Sequence, residues 1–406
     1  MYRYIKCLLI GILLLFLFHF ESLSLGIVKI SHLWKGVLLI YMVVGIIGQK
    51  NNLFIYGSYI FLAILQVVNV ELFDNPFNAI VNLTTTLLIP VMGIYVLRFH
   101  PSQLRSALIF FSSFFILSFI PYKLGILDSY KEGYDLESFG GTFGLVGPFQ
   151  NPHTASLTLA GSLLIVLYFW FQGFFNRTYL IILFILGSYF LLNTYVRTGM
   201  VMVVVGILPL LFHFIRKRDM SPFRIIFFVL FFVIMASNWI ISNEVLINRI
   251  TGENKYRQDY SFESMGSGRG GIYLVSIEIF DEATVLEKIF GLGNTKQVEL
   301  ISNKMGVRIG SHNGFLDILL TTGIIGLLAF LYFLFCIYRI CTMCKNEYTI
   351  LTVSLFVAII VMTLVQGINR IPVNLLFALS IAITYHSRDM ELNKMKQFDF
   401  SDKKLL

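Results

Sequence analysis

Charged residues are scarce in this chain of 406 residues, because Asp, Glu, Lys and Arg together make up only 13% of it. A soluble globular domain has about a quarter of its residues charged and about 45 to 50% apolar. Here 57% of the residues are hydrophobic and the mean hydropathy is +0.78. These values exclude a soluble globule and predict a polytopic membrane protein.

Cysteine is also rare, with four residues in the chain. Cys7, Cys336, Cys341 and Cys344 fall at or near predicted span ends on the cytoplasmic side, where thiols stay reduced, so no structural disulfide is expected. Cys341 and Cys344 have metal-ligand spacing, but a zinc site needs four ligands and no second pair is nearby. A coincidence at a helix end is the simpler interpretation.

Long apolar runs fill most of the chain, and a helix of about 20 such residues crosses the hydrocarbon of a bilayer. In lipid every backbone polar group must be satisfied internally, so the spans are expected to be helices. The sequence predicts an all-α fold with twelve spans, at residues 5–24, 33–49, 52–70, 78–97, 105–122, 154–172, 178–196, 199–215, 224–242, 313–338, 348–367 and 370–387.

Basic residues are distributed unequally over the predicted span ends. With the N-terminus inside, cytoplasmic segments have 17 Lys and Arg residues and the short outer loops have six. The positive-inside rule therefore predicts that both termini are cytoplasmic. The predicted organisation is nine spans in residues 1–242, a large outer loop at 243–312, three spans in 313–387 and a cytoplasmic tail at 388–406.

The same dispersion of basic residues argues against nucleic acid as a partner, since no basic patch stands out. Membrane lipid is the expected neighbour, and the basic tail is placed to touch anionic headgroups.

Asn151 and His153 stand where the sixth span begins, after a stretch rich in Gly and Pro. Asn before a Pro in the first turn is a common helix cap. A helix N-terminus also favours anions, so contact with a sugar or a phosphate is the alternative. The two roles can coexist.

Two arginines lie in predicted outer connections. Arg197 sits in a tight turn between spans, where it either snorkels to lipid headgroups or binds a phosphate in its fork geometry. Arg269 stands among four glycines in the large loop, and such a segment can form a nest of backbone NH groups for an anion. Residues 272–290 then read as one amphipathic helix that packs on the bundle or the membrane surface.

His312 and Asn313 open the tenth span. An imidazole at the mouth of a helix can accept a proton near neutral pH, which the activation of a sugar hydroxyl requires. A helix cap or a solvated loop histidine is the alternative. Arg308 and Arg370 fall at outer span ends and are candidate helpers in binding an anion, while Gly323 and Gly326 are interpreted as close-packing positions.

Several of these segments resemble the O-antigen ligase and polymerase superfamily, the Wzy and WaaL type of bacterial membrane glycosyltransferase. The chain departs from that pattern at Val196, where serine is frequent, and at Ile272 and Tyr273, where tryptophan is common. The matching segments are Gly141-Thr-Phe, Phe149-Gln-Asn-Pro-His153, Arg197-Thr-Gly199, Gly268-Arg269, Phe290-Gly-Leu-Gly293 and the run from His312 to Gly326.

The resemblance implies a GT-C-like fold of the lipid-donor kind, an undecaprenyl-pyrophosphate-linked oligosaccharide as donor and acceptor, and no nucleotide sugar, metal or other cofactor. It leaves room for a chain-length regulator protein as a partner. The expected site has Arg197, Arg269 and His312 as catalytic residues, with His312 acting as a base or only orienting the acceptor. The expected substrate-binding residues are Asn151, His153, Arg308, Asn313 and Arg370.

A polymerase of surface polysaccharide repeat units, such as O-antigen or capsule, is the preferred function, working on the outer face of the bacterial plasma membrane. A ligase that transfers the polymer to lipid A core is the alternative. A flippase or transporter is disfavoured because charges are nearly absent from the spans and no two-half repeat is visible.

Overall fold

The structure is a computed structural model, and it describes residues 24–25, 28–47, 54–68, 76–127, 144–149, 151–217, 265–306, 310–368 and 370–402. The predicted span 224–242 and Arg308 lie outside these residues. The predicted span 5–24 also lies outside them, except for residue 24.

The described part is almost entirely helical, with one short antiparallel pair of strands, β1 (Ser24–Leu25) and β2 (Val28–Lys29). The helices are α1 (Ile30–Ile46), α2 (Phe54–Val68), α3 (Pro76–Val96), α4 (Pro101–Leu117), α5 (Ile120–Lys123), α6 (Pro152–Gln172), α7 (Arg177–Asn193), α8 (Arg197–Arg216), α9 (Met265–Glu282), α10 (Val285–Phe290), α11 (Asn294–Met305), α12 (Gly314–Met343), α13 (Thr349–Val365) and α14 (Ile371–Asp402).

Five stretches of described helix are long and apolar enough to cross a membrane: Ala79–Val96, Pro101–Lys123, Pro152–Gln172, Arg197–Arg216 and Gly314–Met343. Five shorter apolar helices accompany them, in α1, α2, α7, α13 and α14. Each of the ten coincides with a predicted span, which confirms the all-helical membrane class. The total of twelve spans stays a prediction. Helix α14 continues to Asp402, beyond the predicted span end at residue 387.

Helix α6 is the centre of the bundle and packs against α4, α7, α8, α13 and α14. Its 21 residues give it a length of about 30 Å, enough to cross the hydrocarbon. Near its C-terminal end, Tyr168 donates a hydrogen bond to the carbonyl of Glu347, and the Arg105 guanidinium lies 5.3 Å from the ring of Phe174. These contacts gather the loops before α4, after α6 and before α13 at one end of the bundle, called here the basic end.

The large loop reaches the bundle as three short helices, α9 to α11, that pack on the first part of α12. Their small core contains Ile272, Ile279, Leu292 and Ile301, and it closes against Leu320 of α12. Gln297 of α11, which is buried, also donates a hydrogen bond of 2.5 Å to the Asp317 carboxylate. Residues 265–306, called here the docked segment, are therefore attached to the same helix that His312 precedes.

Helix α12 is interrupted at Gly323, whose φ of 68° lies in the left-handed region. The interruption frees backbone carbonyls, and the docked segment satisfies two of them. The Leu292 amide donates to Leu320 O at 2.7 Å and the Gly293 amide donates to Thr321 O at 3.2 Å. Gly323 is thus a close-packing position, as predicted, but what it accommodates is the backbone of Ile289 and Phe290.

The prediction of one amphipathic helix over residues 272–290 is wrong. Helix α9 ends at Glu282 and α10 begins at Val285, because Thr284 and Glu287 form a capping box. The Thr284 side chain accepts from the Glu287 amide, and the Glu287 carboxylate accepts from the Thr284 amide at 2.9 Å. The apolar stripe is divided as a result, since Ile272 and Ile279 are buried while Leu286 is exposed.

Candidate functional site

Four spanning helices begin close together, at the end of the bundle opposite the basic end. The start of α6 meets the start of α8, where Ser156 Oγ donates to Val196 O at 3.4 Å. The start of α6 also meets the connection between α13 and α14, where Gln366 Nε2 lies 3.1 Å from His153 Nδ1. Gly314, the first residue of α12, packs on Thr363 of α13 so closely that a Cβ would lie 2.8 Å from its methyl group. We call this end the site end.

The four N-termini at the site end are those of α6, α8, α12 and α14. Each has unpaired amide groups and a partial positive charge of about half an elementary charge. Grouped together with nearby guanidinium groups, they make this end of the bundle electropositive. Such a surface attracts anions, phosphates above all.

Asn151 and Asn313 are the caps of two of these helices, which confirms the capping interpretation of Asn151. Asn151 Oδ1 accepts from the Thr154 amide at 2.8 Å. Asn313 Oδ1 accepts from the amides of Phe315 and Leu316 at 2.9 and 3.2 Å. In each case the amide oxygen is engaged with backbone, so any contact with substrate falls to the NH₂ group.

His312 is one of two non-glycine residues with positive φ in the described part of the chain, at 50°. It lies between the buried Ser311 and the cap residue Asn313, and Ser311 Oγ donates to Asn313 O at 3.1 Å. A left-handed conformation at a non-glycine residue costs about 1 to 2 kcal/mol, and such residues cluster at functional sites.

Burial lowers the pKa of His312 below its ordinary value, and the positive charges of Arg269 and Arg370 lower it further. Burial acts because it disfavours the charged imidazolium, and the arginines act by repelling it. The neutral imidazole, whose lone pair can accept a proton, is therefore favoured over the charged form. The same effect shows that both guanidinium groups lie within electrostatic reach of the ring.

Arg269 reaches the site from helix α9. Burial lowers the pKa of its guanidinium, while the neighbouring Tyr273 acts in the opposite direction. The two side chains are four residues apart and so lie on the same helix face. The Tyr273 hydroxyl lies 3.4 Å from both the His312 and the Leu364 carbonyl oxygens, to either of which it can donate. Tyr273 thus connects α9, which also bears Arg269, to the start of α12 or the end of α13.

The prediction of a nest of backbone NH groups around Arg269 is wrong for the described residues, which begin at Met265 in this segment. These residues form the first turns of α9, and their backbone follows a helix. Four glycines weaken a helix by about 1 kcal/mol each relative to alanine. Packing outweighs that cost here, because Gly270 is buried and the following Ile272 belongs to the docked segment's core.

Arg370 lies directly before α14, and its guanidinium donates to Thr154 Oγ1 in the first turn of α6 at 3.1 Å. The Arg370 carbonyl accepts from the Asn374 amide and side chain, both at 3.0 Å. Arg370 is thereby held between α6 and α14. Its charge acts on His312 together with that of Arg269, and its role as a helper in binding an anion stays a prediction.

Arg197 is the first residue of α8 and is exposed at the site end. Its predecessor Val196 supplies no side-chain cap to the first turn of α8. The tight connection predicted around Arg197 is confirmed, with α7 ending at Asn193. The charges that act on His312 belong to Arg269 and Arg370, and Arg308 lies outside the described residues.

Three contributors to the site were missed in the sequence: Thr154, Tyr273 and Gln366. Tyr273 had a readable signal, since it stands one helical turn after Arg269. Thr154 and Gln366 form contacts more than 200 residues apart in the chain, with Arg370 and His153 respectively. No spacing rule reveals such pairs.

A protein-family model matches part of the chain. Residues 181–331 match the family model described as O-antigen ligase (Wzy_C), a segment that contains Arg197, Arg269 and His312. No curated protein matches the chain. This match over part of the chain supports its place in the O-antigen ligase and polymerase superfamily.

Proposed function

We propose that this member of the O-antigen ligase and polymerase superfamily transfers a glycan from a polyprenyl pyrophosphate to a sugar hydroxyl. The observation that supports this most strongly is that one imidazole lies within electrostatic reach of two guanidinium groups, where four helices begin. A diphosphate needs positive charge, and an attacking hydroxyl needs a base. The site end offers both within one cluster.

The donor diphosphate binds at Arg269 and Arg370, with Arg197 at the start of α8 as a further contact. Guanidinium groups suit phosphate because their planar fork donates two parallel hydrogen bonds. Burial makes these charges stronger partners than they would be in water. His153, Asn151 and Asn313 border the same end and contact the sugars or phosphates, and the undescribed Arg308 belongs to this set by its position in the chain.

Transfer proceeds by attack of an acceptor hydroxyl on the anomeric carbon of the donor. The new bond joins the hydroxyl oxygen to that carbon, and the bond from the carbon to the diphosphate oxygen breaks. The electron pair of the broken bond leaves with polyprenyl pyrophosphate, and the hydroxyl proton passes to the His312 imidazole. A diphosphate leaving group is stable as an anion, so the reaction needs charge stabilisation and a base but no general acid.

The bound diphosphate also offsets the charge that His312 acquires. Without an anion, an imidazolium between Arg269 and Arg370 is disfavoured, as the lowered pKa of His312 indicates. With the diphosphate present, the net local charge favours proton uptake. Proton transfer is thereby coupled to the presence of the donor, and no metal is required for charge balance.

The site is assigned to the outer face of the bacterial plasma membrane, with both termini in the cytoplasm. Basic residues such as Arg98 and Arg105 lie at the basic end, beside Tyr95 and Phe174. The positive-inside rule puts that end in the cytoplasm and the site end outside. A lipid-linked donor that has been flipped outward would reach the site end from the outer leaflet.

Within the superfamily, a polymerase that joins lipid-linked repeat units remains the preferred assignment. The description of the matched family, O-antigen ligase, favours the alternative in which finished polymer passes to lipid A core. Deletion of the gene separates the two. Loss of a polymerase leaves single repeat units on the surface, whereas loss of a ligase leaves polymer on undecaprenyl pyrophosphate. A chain-length regulator is an expected partner only of the polymerase.

The direct test uses the purified chain in proteoliposomes with an undecaprenyl-pyrophosphate-linked repeat unit. The expected result is a ladder of glycans with release of undecaprenyl pyrophosphate, unchanged by a metal chelator. His312→Asn should abolish the ladder. The matched control is His100→Asn at the basic end, where His100 caps α4 and Asn is also a good cap. Uptake of the lipid without a new glycosidic bond would indicate a transporter and reject the proposal.

A further inference from the structure

Helix α10 has its apolar side chains facing outward. Val285 is 73% exposed, Leu286 is 69% exposed and Phe290 is 45% exposed. A short helix on a water-facing loop normally turns such side chains toward a core. Here the described residues leave three large apolar side chains within six residues largely exposed.

The charged side chains of α10 are instead engaged with the rest of the docked segment. The Glu287 carboxylate forms an ion pair of 2.6 Å with Lys296 of α11. Lys288 Nζ donates to the carbonyl of Asp281 in α9 at 2.8 Å. Polar groups thus face the neighbouring loop helices while apolar groups face out, the reverse of a helix that is solvated by water.

The depth of α10 follows from its contact with the interruption in α12. Residues 324–343 continue α12 with Arg339 as their only charged residue, and these 20 residues measure about 30 Å, the thickness of the hydrocarbon. Gly323 therefore lies within the membrane-spanning helix α12, in the part nearer His312. A Cβ there would lie 2.6 Å from the Phe290 amide nitrogen, so the end of α10 lies at the same level.

We propose that Val285, Leu286 and Phe290 insert into the acyl chains of the adjacent leaflet and that α10 is an interfacial helix. Helices of this kind place an apolar face just below the headgroups, and burial of that face is the driving force. The apolar side chains leave water, while the charged ones stay paired within the docked segment. The lipid thereby fixes the height of the segment that bears Arg269. This inference does not depend on the glycosyl transfer proposed above.

Tryptophan fluorescence in proteoliposomes tests the inference. L286W and V285W place an indole on the outward face of α10, and E299W is the matched control, since Glu299 is exposed on α11. The parent chain, with its three native tryptophans, supplies the background to subtract. Lipids brominated near the headgroup end of the acyl chains quench an indole in the leaflet, whereas acrylamide quenches one in water.

The expected result is that brominated lipid removes more than half of the added emission in L286W and V285W and leaves E299W nearly unchanged. Acrylamide should quench the added emission of E299W more strongly than that of L286W and V285W. Equal quenching of L286W and E299W by acrylamide would overturn the inference, because α10 would then face water. Protection of both α10 variants from either quencher would also overturn it, because another part of the chain, such as residues 224–242, would then cover the helix.

Discussion

A methyl group added at Gly323 is expected to detach the docked segment from α12. Gly323 has a φ of 68°, and a Cβ there would meet the backbone of Ile289 and Phe290. The left-handed conformation costs an L residue about 1 to 2 kcal/mol. Overpacking against backbone costs a further 1 to 3 kcal/mol or so. Gly323→Ala should therefore weaken the attachment by about 2 to 5 kcal/mol.

Amide hydrogen exchange measures directly how far the attachment of the docked segment to α12 is weakened. The Leu292 and Gly293 amides donate to carbonyls of α12, so they exchange only when the attachment opens. With a tenfold change for each 1.4 kcal/mol, Gly323→Ala should accelerate their exchange roughly 30-fold to several thousand-fold. Transfer activity should fall as well, because Arg269 moves with the docked segment.

Gly310→Ala is the matched control for Gly323→Ala. No atom lies within 4 Å of a Cβ at Gly310, so this variant should exchange and react as the parent does. If Gly323→Ala leaves the exchange of Leu292 and Gly293 within threefold or so of the parent, the attachment is not under the steric constraint argued here.

Three further changes probe the site itself. His312→Asn keeps a residue that tolerates positive φ but removes the base, so kcat should fall about 10²- to 10⁴-fold in initial-rate assays, and a loss below tenfold would contradict the role of base. Tyr273→Phe removes one hydroxyl hydrogen bond to the carbonyl of His312 or Leu364, worth about 0.5 to 1.5 kcal/mol, so kcat should fall about two- to tenfold at unchanged expression. Arg370→Gln removes a positive charge that lowers the pKa of His312, so that pKa should rise and the acidic limb of the kcat/KM profile should move to higher pH. Arg370→Lys keeps the charge and should leave the limb in place, and a limb that stays fixed in Arg370→Gln would show that another group titrates.

Local rules predicted much of the bundle. Ten apolar runs became helices at the expected places, because burial in lipid requires both apolar side chains and internal hydrogen bonding. Asn151 was predicted as a cap from the Pro that follows it, and Asn313 was singled out at the mouth of its span. In these cases the sequence pattern that allows the prediction lies within a few residues of the helix or cap that it predicts.

The rest depended on contacts that sequence spacing does not reveal. The division between α9 and α10 was readable, since Thr284 and Glu287 have capping-box spacing, but an apolar stripe that continued past Glu282 concealed it. The interruption of α12 at Gly323 could not be predicted from the sequence, because Thr-Thr-Gly within an apolar run is also compatible with a continuous packed helix. The juxtaposition of Arg370 with Thr154 arises only when the bundle closes.

The central claim is that Arg269 and Arg370 hold the donor's diphosphate beside His312. Its most direct test is the affinity of the purified chain for undecaprenyl pyrophosphate without a glycan, measured for the parent, His312→Asn and the double variant Arg269→Gln/Arg370→Gln. Two charge-assisted contacts of about 1.5 to 3 kcal/mol each predict a Kd about 10²- to 10⁴-fold higher for the double variant. His312→Asn should bind as the parent does. Equal affinity of the double variant and the parent would contradict the claim.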